Sequence, residues 1–216
     1  MKRLENLRIA RQTESSEIVD QYMDADFNVL LYSDESQPAI FAVVYSAILL
    51  MNIPNMHLTV VQLKQSKGRS MVTESNWINS WSINPTSSWM KDVMGGSDYS
   101  DKTRYHEILT KTKEIFLNRV VDISHQHIYC NPNIPDAVDA LLEYTTKNSF
   151  DLIVMGTKGL ATLKGFIFGS LAHTLQKRSQ IPVMLVKKLP QNFLDSYRSK
   201  LKHKIVPTLR VLKASY

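Results

Sequence analysis

Short apolar runs bounded by turn residues alternate along the chain with longer stretches of helical spacing. Asn28 to Ser33 (N-V-L-L-Y-S) is a compact run of the kind that fills a parallel strand buried on both faces. Asp34, Glu35 and Ser36 form the turn that follows. Pro38 suits a first helical turn, and apolar residues carry that helix through Met51 until Asn52 and Pro54 stop it. His57 to Leu63 (H-L-T-V-V-Q-L) is a second, β-branched strand, which completes a βαβ unit with a right-handed crossover.

Residues 66 to about 100 break this rhythm, being rich in Ser, Asn and Gly and without sustained periodicity. They are expected to form an inserted loop, holding a short helix at most. From about Asp101 the spacing of Tyr105, Ile108, Leu109, Thr112, Ile115, Phe116 and Val120 predicts a helix with one buried face. Ile123 to Cys130 alternates as a strand does, Pro135 to Lys147 reads as a helix, and Asp151 to Met155 (D-L-I-V-M) as another buried strand. A helix over Ser170 to Arg178 and a strand over Pro182 to Lys187 close the series. Strands and helices alternating at this spacing predict an α/β domain with a doubly wound, five-stranded parallel sheet. Ligands of such sheets bind beyond the carboxyl ends of the strands, so the loops after Ser33, Leu63, Cys130 and Met155 are the ones to search. The chain divides into an N-terminal extension (1–27), a domain (28–188) interrupted by the insertion (66–100), and a tail (189–216).

Composition narrows the classes. With 216 residues, 44% hydrophobic and 21% charged, the chain has the makings of one ordinary globular domain. Its net charge of +6 is concentrated in residues 187–216, where eight basic residues face Asp195 alone. The preceding body is close to neutral, which argues against a nucleic-acid surface. Cys130 is the single cysteine, so no intrachain disulfide forms and the redox evidence fits the cytoplasm. The first 27 residues mix basic and acidic side chains without the apolar core of a signal peptide, and the stretch Ala39 to Ile53 is too short for a membrane span.

The chemistry-bearing motif follows Met155: G-T-K-G-L-A-T-L-K-G-F-I-F-G-S sets Gly156, Gly159, Gly169 and Ser170 in a G-x2-G-x9-G-S pattern. Glycines let backbone N–H groups converge on phosphate oxygens, and a helix opening at Ser170 adds its free N–H groups and a hydroxyl. The pattern resembles that of the universal stress protein family, in its ATP-binding members, over Asn28 to Lys188 without the insertion. D-L-I-V-M-G-T-K-G, the spaced G-S, the closing I-P-V-M-L-V-K and Asp34 just after the first strand carry the resemblance.

The resemblance implies strand order 3-2-1-4-5, an ATP ligand with Mg²⁺, a role in stress response, and a homodimer joined along the last strand. Position by position, it sets Asp34 at the adenine-ribose part, the backbone near Gln62 at adenine, and Gly156, Lys158, Gly159, Gly169, Ser170 and Leu171 around the phosphates. The chain departs from the family pattern at Cys130-Asn131-Pro132 and at Gln62 and Lys64.

There is no G-x-x-x-x-G-K-[ST] loop, no G-x-G-x-x-G fingerprint and no evident general base, so a regulatory binding protein is expected, with hydrolysis slow at most. A slow ATP hydrolase or phosphotransferase of the same fold and a nucleotide-free scaffold stand as alternatives. His125, His127 and Cys130 form H-x-H-x2-C, but no fourth ligand has recognisable spacing, so no metal site is expected. Trp77, Trp81 and Trp89 all lie in the insertion, which either packs locally, covers the ligand or meets a protein partner. In the tail, Phe193, Tyr197, Leu201 and Ile205 recur every four residues, predicting an amphipathic helix that packs on the domain or on a second subunit rather than on a membrane.

Overall fold

A computed structural model of the chain describes residues 25–34, 37–66, 71–74, 99–157, 170–187, 189, 192–197 and 199. The strands are β1 (Phe27–Tyr32), β2 (Met56–Gln65), β3 (Met71–Glu74), β4 (Ile123–Cys130), β5 (Leu152–Gly156) and β6 (Val183–Val186). The helices are α1 (Gln37–Asn52), α2 (Tyr99–Asn118), α3 (Ile134–Lys147) and α4 (Ser170–Arg178), with a 3₁₀ turn at Val120–Asp122. The sheet runs β3-β4-β2-β1-β5-β6. Every pairing is parallel except β3 with β4.

The parallel strands therefore take the expected order, but the sheet has six strands and not five. The added strand, β3, comes from the segment expected to be a loop. Its residues M-V-T-E are mostly solvent-facing, with Met71 54% and Val72 45% exposed, so it leaves no alternating hydrophobic signature. It forms because β4 offers an edge to pair with.

Alternation along the strands divides the core between two faces. Val29, Leu31, Leu58, Val60 and Val154 pack beneath α1 and α2, whereas Leu30, Tyr32, Val61, Ile153 and Met155 pack beneath α3 and α4. Helix α1, hydrophobic nearly all round, lies between the sheet and α2, so most of its surface is covered. Helix α2 buries Ile108, Leu109, Thr112, Ile115 and Phe116, as its spacing predicts, but it ends at Asn118, so Val120 falls in the 3₁₀ turn and is 45% exposed instead of joining the buried face. Helix α3 starts at Asn133, whose side chain accepts from the Asp136 backbone N–H at 2.9 Å, with Pro135 in the first turn.

The tail joins the first face. Residues 192–197 are helical, and Leu189, Leu194 and Tyr197 are buried against α1 and α2. Phe193 stacks on Tyr45 with ring centroids 5.9 Å apart, and the Tyr197 hydroxyl meets Thr112 Oγ1 at 3.2 Å. Thr112 also donates to the Ile108 carbonyl at 2.8 Å, so a hydroxyl inside an apolar face is fully engaged. Leu201 and Ile205, the rest of the predicted stripe, lie outside the described residues.

Candidate functional site

Strand β1 is the pivot of the topology: β2 and β4 lie on one side of it, β5 and β6 on the other. The chain leaves β1 toward β2 and returns to the opposite side at β5, so the order reverses between β1 and β5. Such a switch point opens a crevice beyond the carboxyl ends of the two strands. Register places Tyr32 beside Met155, hence Ser33 beside Gly156, with Asp34 one residue further. Gly156 is buried at the end of β5, where a larger residue would add a Cβ to the floor of the crevice.

Asp34 is only 8% exposed, an uncommon condition for a carboxylate. Its charge reaches the buried Tyr32 phenol, which burial first and then Asp34 and Cys130 hold well above the usual tyrosine range. The phenol therefore stays protonated. Across β1, the Ser33 backbone N–H donates to the Val61 carbonyl at 3.0 Å, which aligns Ser33 with Gln62 on β2. The half-buried Gln62 faces His127, whose Nε2 lies 3.1 Å from Gln62 Oε1.

On the far side of the crevice the Thr157 N–H donates to the Val186 carbonyl at 3.2 Å, tying the residue after Gly156 to β6. Helix α4 opens at Ser170, so its N-terminal N–H groups begin where the glycine pattern ends. Leu171 is fully buried in the second-face core beside Met155 and Leu175, so its side chain anchors the helix and only its backbone is available to a ligand. Lys158, Gly159 and Gly169 lie outside the described residues, as do Trp77, Trp81 and Trp89.

The structure thus brings Asp34, Gly156 and the start of α4 to one end of the sheet and sets Gln62 one strand away. It separates the H-x-H-x2-C residues: His125 and His127 lie on the α2 face, while Cys130 points into the opposite core. The reason is parity, since residues an odd number apart on a strand face opposite ways. Among the described residues no three His, Cys, Asp or Glu side chains gather as a metal-binding group. Burial, with the Asp136 charge second, also raises the Cys130 thiol, which keeps it protonated and unreactive. No described helix is long and apolar enough to cross a membrane.

The family model described as the universal stress protein family matches residues 90–187. Among curated relatives, the stress response protein NhaX of Bacillus subtilis is 38% identical over 52 residues, covering 24% of this chain and 31% of its own. A universal stress protein of Mycobacterium tuberculosis is 30% identical over 81 residues, covering 38% of this chain and 53% of its own. The chain therefore spans between about a third and a half of the length of these relatives. Similar solved chains include a universal stress protein in complex with cAMP, at 21% identity and TM-score 0.43 over 76% of this chain and 98% of that one. Another is the universal stress protein UspA of Lactobacillus plantarum, at 16% identity and TM-score 0.43 over 76% and 99%.

Proposed function

We propose that the chain binds an adenine nucleotide in the crevice between β1 and β5 and acts in stress response as a nucleotide-dependent regulator. The observation that carries this reading is the convergence of a buried carboxylate, Asp34, a buried glycine, Gly156, and the N-terminus of α4 at the switch point. Asp34 is suited to accept from ribose hydroxyls. The backbone from Gly156 through the glycine pattern, with Lys158, Gly159, Gly169, Ser170 and the Leu171 N–H, is suited to surround the phosphates. A bound Mg²⁺ would neutralise phosphate charge, with Asp34 the nearby carboxylate. Strand β6 ends the sheet, so its outer backbone groups fit pairing with β6 of a second copy. The aromatic residues Trp77, Trp81 and Trp89 of the insertion would suit a protein partner.

Calorimetric titration of Mg-ATP tests the reading, with phosphate release followed in parallel. Wild type is expected to bind with micromolar affinity and negligible turnover. Asp34→Ala and Ser170→Ala are each expected to weaken binding about tenfold, the loss of one hydrogen bond involving a charged group. A folded wild type that binds no ATP defeats the proposal.

A further inference from the structure

A second concave site lies at the amino end of the sheet, opposite the crevice. Helix α3 runs from the end of β4 to Lys147 and α4 from the end of β5 to Arg178, so both helices finish beside the starts of β5 and β6. Between their ends is a pocket of about 300 Å³, at the small end of the range for small-molecule sites. Leu142, Phe150 and Ile181 form its apolar part, and Ser149, Arg178 and Gln180 stand on its polar side.

Local hydrogen bonds set these walls in place. Helix α3 ends in a Schellman turn, in which the Phe150 N–H donates to the Thr145 carbonyl at 3.3 Å and Ser149 sits just before it at φ 51°. Glycine usually takes that left-handed position, so serine is held there at a cost and brings a hydroxyl to the pocket. After α4, Ser179 Oγ donates to the Ile181 carbonyl at 2.7 Å and accepts the Ile181 N–H at 3.2 Å, which leaves Gln180 at the tip of a tight turn. The Arg178 guanidinium donates to Asp139 Oδ1 at 2.6 Å.

The polar groups then divide into engaged and available ones. Thr145 and Thr146, which also line the pocket, both donate their hydroxyls to the Leu142 carbonyl, and Lys147 pairs with Glu143 at 2.6 Å. Among the described residues the Ser149 hydroxyl and the Gln180 amide have no hydrogen-bond partner, and Asp139 takes a single N–H of Arg178. That ion pair is about half exposed on both sides, hence weak and readily shared with a ligand.

We infer that this pocket binds a small amphipathic carboxylate, its head on Arg178, Gln180 and Ser149 and its apolar body over Leu142, Phe150 and Ile181. Magnitudes decide the sign of the ligand. The negative end of an exposed helix opposes an anion by about two- to fivefold, and Lys147 and Lys177 in the two last turns offset part of that. A charge-assisted hydrogen bond from Arg178 favours the anion about tenfold or more, and the bonds from Gln180 and Ser149 add to it. A cation would face Arg178 at close range.

The test is NMR of the full chain, following backbone amides during titration with phenylacetate, and with phenylacetamide and benzylammonium, which keep the ring and change the head group. Phenylacetate is expected to bind saturably with about millimolar affinity or tighter, moving the amides of Ser149, Phe150 and Gln180. The other two should bind at least about tenfold more weakly. Arg178→Gln is expected to lower the preference for phenylacetate over phenylacetamide about tenfold, and Gln180→Ala about threefold. A merely structural effect would weaken both ligands together. Wild type without saturable shifts, with shifts confined to another region, or with equal affinity for the three compounds overturns the inference. So does an unchanged preference in Arg178→Gln, or in Gln180→Ala should the first variant not fold. The nucleotide reading stands or falls separately, since its crevice is at the other end of the sheet.

Discussion

Lowering the pH from 7 to 5 should cost this fold about 2 kcal/mol through one side chain, His125. It sits on β4 paired with Val60, in the row beneath α2, and is 9% exposed. Burial, and secondarily the neighbouring His127, push its value down to about 2. The unfolded chain releases it to about 6.5. Because the folded value is the lower one, the unfolded state binds a proton that the folded state refuses throughout the window between them. Stability is thus full above pH 6.5 and declines as pH falls below it, approaching ~1.4 kcal/mol per pH unit. Integrated from pH 7 to 5 this gives about 2 kcal/mol, a figure that does not depend on the folded value once it lies below roughly 4. Against a total stability of order 5–15 kcal/mol the loss is readily measured. Urea unfolding followed by far-ultraviolet circular dichroism at pH 7, 6 and 5 gives the slope directly, with His125→Gln as the reference that lacks the titrating group. The wild-type curve should fall away from the variant's by about 2 kcal/mol at pH 5. Parallel curves would refute the argument, since they would mean that His125 gains its proton as easily folded as unfolded.

Two further predictions concern how the elements are tied together. Arg119, after α2, donates to the Leu50 and Pro54 carbonyls at 2.8 Å each and pairs with Asp122, so it closes the end of α1 onto the start of β2. Arg119→Ala is expected to lose about 2–3 kcal/mol by chemical denaturation, and Arg119→Lys should recover little because one ammonium cannot span these acceptors. In the tail, Leu194→Ala is expected to cost about 2–4 kcal/mol, and Tyr197→Phe about 1 kcal/mol through the lost bond to Thr112. Equal stability of Leu194→Ala and wild type in the same assay would remove 192–197 from the core.

Much of the architecture is legible because parallel strands buried on both faces must be continuously apolar. Leu30 and Leu31, neighbours in sequence, fill opposite cores, and V-L-L-Y announces that double burial without help from context. The same logic finds β5 in L-I-V-M. It fails for β3, whose four residues have no buried face to encode and exist as a strand only through β4. The glycine pattern is equally plain in sequence, since the close backbone approach proposed for it favours that residue type. The contact between Gln62 and His127 is different. Gln62, His127 and Thr73 are scattered over 66 residues, and only the pairing of β2, β4 and β3 sets them in line. His127 belongs to H-x-H-x2-C in sequence, but the Cys130 thiol lies on the other face and the hydrogen-bond partner of His127, Gln62, comes from β2.

The two segments that exceed the alternating strand-helix series both serve the α2 face. The insertion supplies β3, which covers the edge of β4; the tail supplies Leu189 and residues 192–197, which pack with α1 and α2. The half-exposed apolar residues of tail and groove, Phe193 and Tyr45, find each other there. Burying Leu189, Leu194 and Tyr197 gives that face a stabilisation of several kcal/mol, which offsets the cost of keeping His125 neutral. On the opposite face, packed by α3 and α4, Met155 and Leu171 fix the start of α4 against the end of β5.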